Sequence, residues 1–200
     1  MGNTLGFYPK RDLEPLKSDI EIREPKTKIL VSKLKSCIPG RQQWKQYQSI
    51  CKEILCYCLV PPLLEPIEQS ATIDNLHIRD LIFNIPLDLG GFWTYITNRF
   101  GLALIFECKN YEDYVRQNEL VISSKYVGNR KLTEMGLMVT RKGLHENAQK
   151  TQENLWKEQG KMLLCLNDND LEKMVELKEK NDEPWKVIDN KIREFLVSLS

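Results

Sequence analysis

The chain has 200 residues, 42% of them hydrophobic, and a net charge of +1. That is enough for one domain with its own core and no disulfide staples, and it excludes a global basic field of the kind that announces nucleic-acid binding. The apolar runs are too short to cross a bilayer and no apolar signal-peptide stretch opens the chain, so a cytoplasmic protein with no membrane partner is expected.

Residues 1–25 are polar, carry Pro9, Pro15 and Pro25, and show no sustained periodicity. They predict an extended segment. Lys26 to Lys35 reads as a short helix or strand, broken by Pro39-Gly40. Residues 1–40 are therefore expected as an N-terminal extension and residues 41–200 as the folded domain. Trp44 to Leu59 predicts a helix that stops at Pro61-Pro62. Its apolar face carries Tyr47, Cys51, Ile54 and Cys58, with Gln48 and Glu53 flanking that face on opposite sides. Ala71 to Asn75 is a candidate first strand. Leu81 to Ile85 is an apolar run with Asp80 directly before it. Asp88 to Arg99 predicts a short helix whose Phe92, Trp93 and Tyr95 read as packing residues.

Gly101 permits a turn into a second apolar run, Leu102 to Phe106, which ends abruptly in Glu107-Cys108-Lys109-Asn110. Glu112 to Val127 predicts a helix, Met135 to Arg141 a strand, Glu146 to Gln159 a polar helix, and Lys161 to Leu166 a further strand. Asp168 is expected to cap a helix running to about Lys180. A last helix, Trp185 to Leu199, carries an apolar stripe at Ile188, Ile192, Phe195, Leu196 and Leu199. The six cysteines include no C-x-x-C pair and there are two histidines, which argues against structural zinc. Apolar surroundings for most of the cysteines suit a reducing compartment.

The chemistry concentrates at Asp80, Glu107 and Lys109. Side chains alternate along a strand, so Glu107 and Lys109 share one face and Cys108 takes the other. If the Asp80 strand pairs alongside, its carboxylate meets Glu107. Two close carboxylates repel, and a hard divalent cation relieves that repulsion. Mg²⁺ takes oxygen ligands, often one or two carboxylates plus water and substrate phosphate. The Cys108 backbone carbonyl is a further candidate ligand. Lys109 would place a compact positive charge beside the water and the scissile phosphate.

Asp80 in Arg79-Asp80-Leu81-Ile82-Phe83, with Glu107-Cys108-Lys109 in Ile105-Phe106-Glu107-Cys108-Lys109-Asn110, resembles the PD-(D/E)XK nuclease superfamily. The resemblance spans roughly Arg41 to Lys180. It extends to bacterial restriction-endonuclease-like proteins with an "ECKN" strand and a late "L-x-D-x-D-L" segment, here Leu166 to Leu171. It implies an α/β fold with a restriction-endonuclease-like central mixed β-sheet flanked by helices. It also implies a Mg²⁺-dependent endonuclease that hydrolyses DNA, with Mn²⁺ able to substitute. The residue before Asp80 is Arg79 rather than Pro. Many members add a glutamate from the first helix to the metal site; here Gln48 and Glu53 are the candidates, which leaves one or two metals open.

Gln117 resembles a glutamine that some members place near the site. Arg130, Lys131 and Arg141 are candidate phosphate contacts, since basic side chains position a backbone without reading its sequence. RNA and a second copy of the chain stand as alternative partners. A non-catalytic nucleic-acid-binding or scaffold protein on the same fold is the competing reading, because fold does not imply function.

Overall fold

The computed structural model describes residues 25–68, 81–125, 127–128 and 132–199. The described residues form a five-stranded mixed sheet flanked by seven α-helices, as the sequence predicts. In chain order the elements are α1 (Lys26–Ser36), α2 (Trp44–Leu59), β1 (Ile67–Glu68), β2 (Leu81–Asn84), α3 (Phe92–Arg99), β3 (Ala103–Lys109), α4 (Gln117–Ser124), β4 (Met135–Thr140), α5 (Glu146–Gln159), β5 (Met162–Asn167), α6 (Asp168–Glu179) and α7 (Lys186–Ser198). The strands lie in the order β1-β2-β3-β4-β5. The β1–β2 and β2–β3 pairs are antiparallel, while β3, β4 and β5 run parallel to one another. The parallel pairs require crossovers, and α4 and α5 supply them.

Alternation along the strands sends apolar residues to both faces of the sheet. Leu104 and Phe106 of β3, Leu137 and Val139 of β4, and Leu164 and Leu166 of β5 enter the larger cluster with α1, α2, α6 and α7. Phe83 meets Phe106 edge-on there, with ring centroids 5.4 Å apart, a geometry worth about 0.5–1.5 kcal/mol beyond burial. Met138 and Leu163 face the other way, into a smaller cluster with Leu120 of α4 and Leu155 of α5. Gly136 lies on this second face. A Cβ there would sit 2.8 Å from Val127 and 2.9 Å from Leu163. Gly136→Ala should therefore cost about 1–3 kcal/mol by overpacking, readable as a lower urea midpoint; an unchanged midpoint would show that Val127 and Leu163 yield freely.

Three expectations are corrected. The first is the boundary at residue 40. Thr27, Leu30 and Leu34 of α1 are buried, Leu30 and Leu34 join the main cluster, and Thr27 bonds Glu179 at 3.1 Å. α1 belongs to the domain. The second is the start of the helix after β3. Val115 forms a bridge with Leu144 and its N–H donates to Gly143, so the chain stays extended until Arg116. The third is the cap of α6. Asn167, not Asp168, is the N-cap, in a reciprocal capping box with Asp170, and this frees the Asp168 carboxylate for tertiary contacts. The candidate strand Ala71 to Asn75 lies outside the described residues.

Candidate active site

β3 carries the site. As alternation requires, Glu107 lies on the face of Ile105, under α4, while Cys108 packs against the core cluster that holds Tyr47 and Cys51. Leu81, the first residue of β2, pairs with Phe106, the residue just before Glu107. β2 thus begins one register position from the glutamate. Asp80 itself lies outside the described residues, as do Arg130 and Lys131.

Glu107 is only 7% exposed. Its Oε2 accepts a hydrogen bond from Ser123 of α4. Its Oε1 lies 2.5 Å from the ammonium of Lys109, an ion pair across the strand face. Among the described residues no group donates a well-aligned hydrogen bond to that buried oxygen. The Lys109 pair satisfies its charge but leaves its lone pairs poorly used. Sequence reasoning had no grip on Ser123, which reads as one of two ordinary serines near the end of a short helix.

Above the pair opens a cleft of about 760 Å³. Its walls are Gly40 and Arg41 before α2, Trp44 and Gln48 in the first two turns of α2, and Asn110 to Asp113 after β3. Gln48 therefore lines the same cleft as Glu107 and Lys109. Glu53 does not: it pairs with Lys33 at 2.7 Å and lines a different groove with Lys26, Lys52 and Lys178. Helical geometry separates the two candidates, and the structure brings the glutamine to the site. Gln117 is the first residue of α4 and is exposed.

Arg141 is corrected from phosphate contact to internal clamp. Its side chain is 7% exposed. Nε donates to Asn110 Oδ1 at 2.7 Å, and Nη1 donates to Asp168 Oδ2 at 2.7 Å and to the Leu34 carbonyl at 3.1 Å. Nη2 donates to the Cys37 carbonyl, and the guanidinium lies 4.3 Å from the Tyr47 ring centre. Little of this group remains for a ligand. Asn110 extends the clamp, since its amide nitrogen donates to the Ile38 and Gly40 carbonyls at 2.9 Å each. Together they fix the cleft wall from Ile38 to Gly40 against the end of β3. Burial raises the Asp168 pKa, with the hydrogen bonds from Arg141 and Tyr47 pulling it back.

Among the described residues no group of three or more His, Cys, Asp or Glu could hold a metal ion. What they do offer is a buried carboxylate in the floor of the cleft, with the Gln48 amide in its wall. That carboxylate is already paired with Lys109, so the described residues alone fall short of a cation's ligand set. A second buried carboxylate oxygen, Glu119 Oε2, also lacks a hydrogen bond among the described residues. It lies one helical turn before Ser123 on α4. Compared with protein-family models, with curated proteins and with solved structures, the chain matches none.

Proposed function

We propose that this chain is a Mg²⁺-dependent endonuclease that hydrolyses phosphodiester bonds in DNA, on a fold of the restriction-endonuclease-like type. The observation that carries the proposal is the Glu107–Lys109 pair: a buried carboxylate oxygen 2.5 Å from an ammonium, at the strand end that floors the cleft. A charge pair is costly to bury and offers little net stability, so a purely structural role for it is poorly rewarded.

Asp80 and Glu107 would hold the cation, with the Cys108 carbonyl and Gln48 as further oxygen donors. When bound, such a cation supplies positive charge for a phosphate oxygen and a water of lowered pKa. Lys109 would orient an attacking water and offset charge developing on the phosphoryl oxygens. Arg41 is exposed at the rim of the cleft and provides a backbone contact where Arg141 does not. Lys109→Ala should keep DNA affinity within a few-fold while lowering cleavage by about 10²–10³, the usual scale for removing one transition-state donor.

The test is purified protein with Mg²⁺ or Mn²⁺ on single- and double-stranded DNA and RNA. Cleavage of DNA that Lys109→Ala loses supports the proposal. Cleavage of RNA alone would change the substrate. Binding in Mg²⁺ without any cleavage would make the chain a non-catalytic nucleic-acid binder.

A further inference from the structure

We propose that the cleft takes an unpaired strand of nucleic acid, with Trp44 on one wall and Tyr111 on the other stacking against its exposed bases. This inference rests on the nucleic-acid reading above and names the substrate class, single-stranded or locally opened rather than intact duplex. It concerns binding, not cleavage.

Trp44 opens α2 and lines the cleft beside Arg41, and Tyr111 lines it from the segment after β3. Among the described residues the exposed aromatic side chains are Tyr95, Tyr111 and Tyr114. Two of them, Tyr111 at 38% and Tyr114 at 51% exposure, stand in the segment that follows Lys109. Cations accompany these rings. The Lys45 ammonium lies 5.5 Å from the Trp44 ring centre, and that of Lys142 lies 5.9 Å from the Tyr114 ring centre. Rings interleaved with positive charge are what a single strand needs, the rings for its bases and the charge for its backbone. The acidic neighbours are engaged elsewhere: the Glu112 carboxylate lies against Gly40, and Asp113 faces Lys142 at 3.8 Å.

The two walls are tied together at their base. The Gly40 N–H donates to the Asn110 carbonyl at 2.8 Å, and the Asn110 amide donates back to the Ile38 and Gly40 carbonyls. Tyr111 follows Asn110 directly and Trp44 follows Gly40 closely, so both rings hang from one fixed frame. Trp and Tyr turn about only two side-chain torsions and lose little freedom when a ligand covers them. An intact duplex gains little from such rings. Its base faces are already stacked on one another, and its surface offers phosphates and base edges. An unpaired strand offers the faces themselves, and each stacks on an aromatic side chain with little regard to sequence. The volume agrees. About 760 Å³ falls within the roughly 300–1,000 Å³ of sites that enclose a small ligand, which suits nucleotides entering singly and not a whole duplex.

The experiment is fluorescence-anisotropy binding of the full chain, in EDTA, to labelled oligo-dT and oligo-rU and to the duplex of oligo-dT with oligo-dA, over a series of salt concentrations. Wild type is compared with Trp44→Leu, Trp44→Phe, Tyr111→Leu and Arg41→Ala, and urea midpoints confirm that each variant is folded. Unpaired oligo-dT should bind about tenfold or more tightly than the duplex, the scale of one stacked base. Trp44→Leu and Tyr111→Leu should each weaken the unpaired strand about 5–100-fold, with the log–log salt slope unchanged and duplex binding little altered. Trp44→Phe keeps a ring and should recover most of the affinity. Arg41→Ala should instead lower the slope by about 0.7, as a lost phosphate contact on a single strand does. Tighter binding of oligo-rU, with the same losses in the leucine variants, would support stacking and move the strand to RNA. Equal affinity for strand and duplex in wild type, or unpaired-strand binding unchanged in both leucine variants, would overturn the stacking proposal and leave the endonuclease reading to its own assay. The stacking pattern without any cleavage in Mg²⁺ would support this proposal and overturn the endonuclease reading.

Discussion

Glu107→Gln should abolish divalent-cation binding and DNA cleavage while leaving the fold in place. The substitution is isosteric and the amide can still accept the Ser123 hydroxyl bond seen on Oε2. What it removes is the negative charge beside the Lys109 ammonium, and an amide is a poor ligand for a hard cation. The metal-free variant should be less stable than wild type, by less than the roughly 3–5 kcal/mol that removing one partner of a fully buried ion pair costs, since Lys109 is partly exposed. The reason is that Glu107 is already paired with Lys109 at 2.5 Å, and the variant leaves that partly buried ammonium without its counter-charge. Calorimetric titration with Mn²⁺ and a urea melt check the two parts. Unchanged Mn²⁺ binding would remove Glu107 from the metal site, whatever the melt shows. Asp80→Asn is expected to match it in cation binding and cleavage.

Much of the scaffold that positions this pair is legible in the sequence. Trp44–Leu59 and Glu146–Gln159 match the predicted helices end to end, because strong periodicity is punctuated at Pro61-Pro62 for one and at Gly160 for the other. Gly160 closes its helix in the left-handed conformation, at φ 67°, where glycine carries no penalty. The alternation that sends Cys108 to the core and Glu107 to the cleft is likewise a local property of a strand. What escaped local reading depends on long-range partners. α1 reads as a short helix or strand in an N-terminal extension until Leu30 and Leu34 join the main core cluster. The segment before α4 has helical composition but is drawn out by the bridge from Val115 to Leu144. Ser123 is meaningful only once α4 lies over Glu107, and no spacing within the helix announces that. Arg141 escaped for the same reason, since a strand-end arginine reads as surface until the carbonyls of Leu34 and Cys37 are brought to it.

That burial gives Arg141 the largest expected effect on stability. Arg141→Ala removes donors from Asp168, Asn110 and the Leu34 and Cys37 carbonyls at once. It also removes the cation stacked on Tyr47. Breaking a buried pair by deleting one partner costs about 3–5 kcal/mol, because the other partner stays desolvated. Arg141→Lys should recover little, since one ammonium cannot reproduce a planar fork that reaches three elements. The cost should also depend on pH. Burial already raises the Asp168 pKa, and Arg141 opposes that rise. Without Arg141 the folded pKa climbs further above the unfolded value of about 3.9. A raised carboxyl contributes stability below its unfolded pKa and loses it as pH rises through the folded one. The variant therefore loses more than wild type as pH rises, and the gap between them should widen from acid toward neutral pH. Urea melts across that range measure it. Salt titrations of DNA binding supply the contrast. A phosphate contact replaced by alanine would lower the log–log salt slope by about 0.9 on duplex DNA, whereas a buried clamp leaves the slope of the folded fraction unchanged. A lowered slope with an unaltered urea midpoint would return Arg141 to the surface and to the substrate.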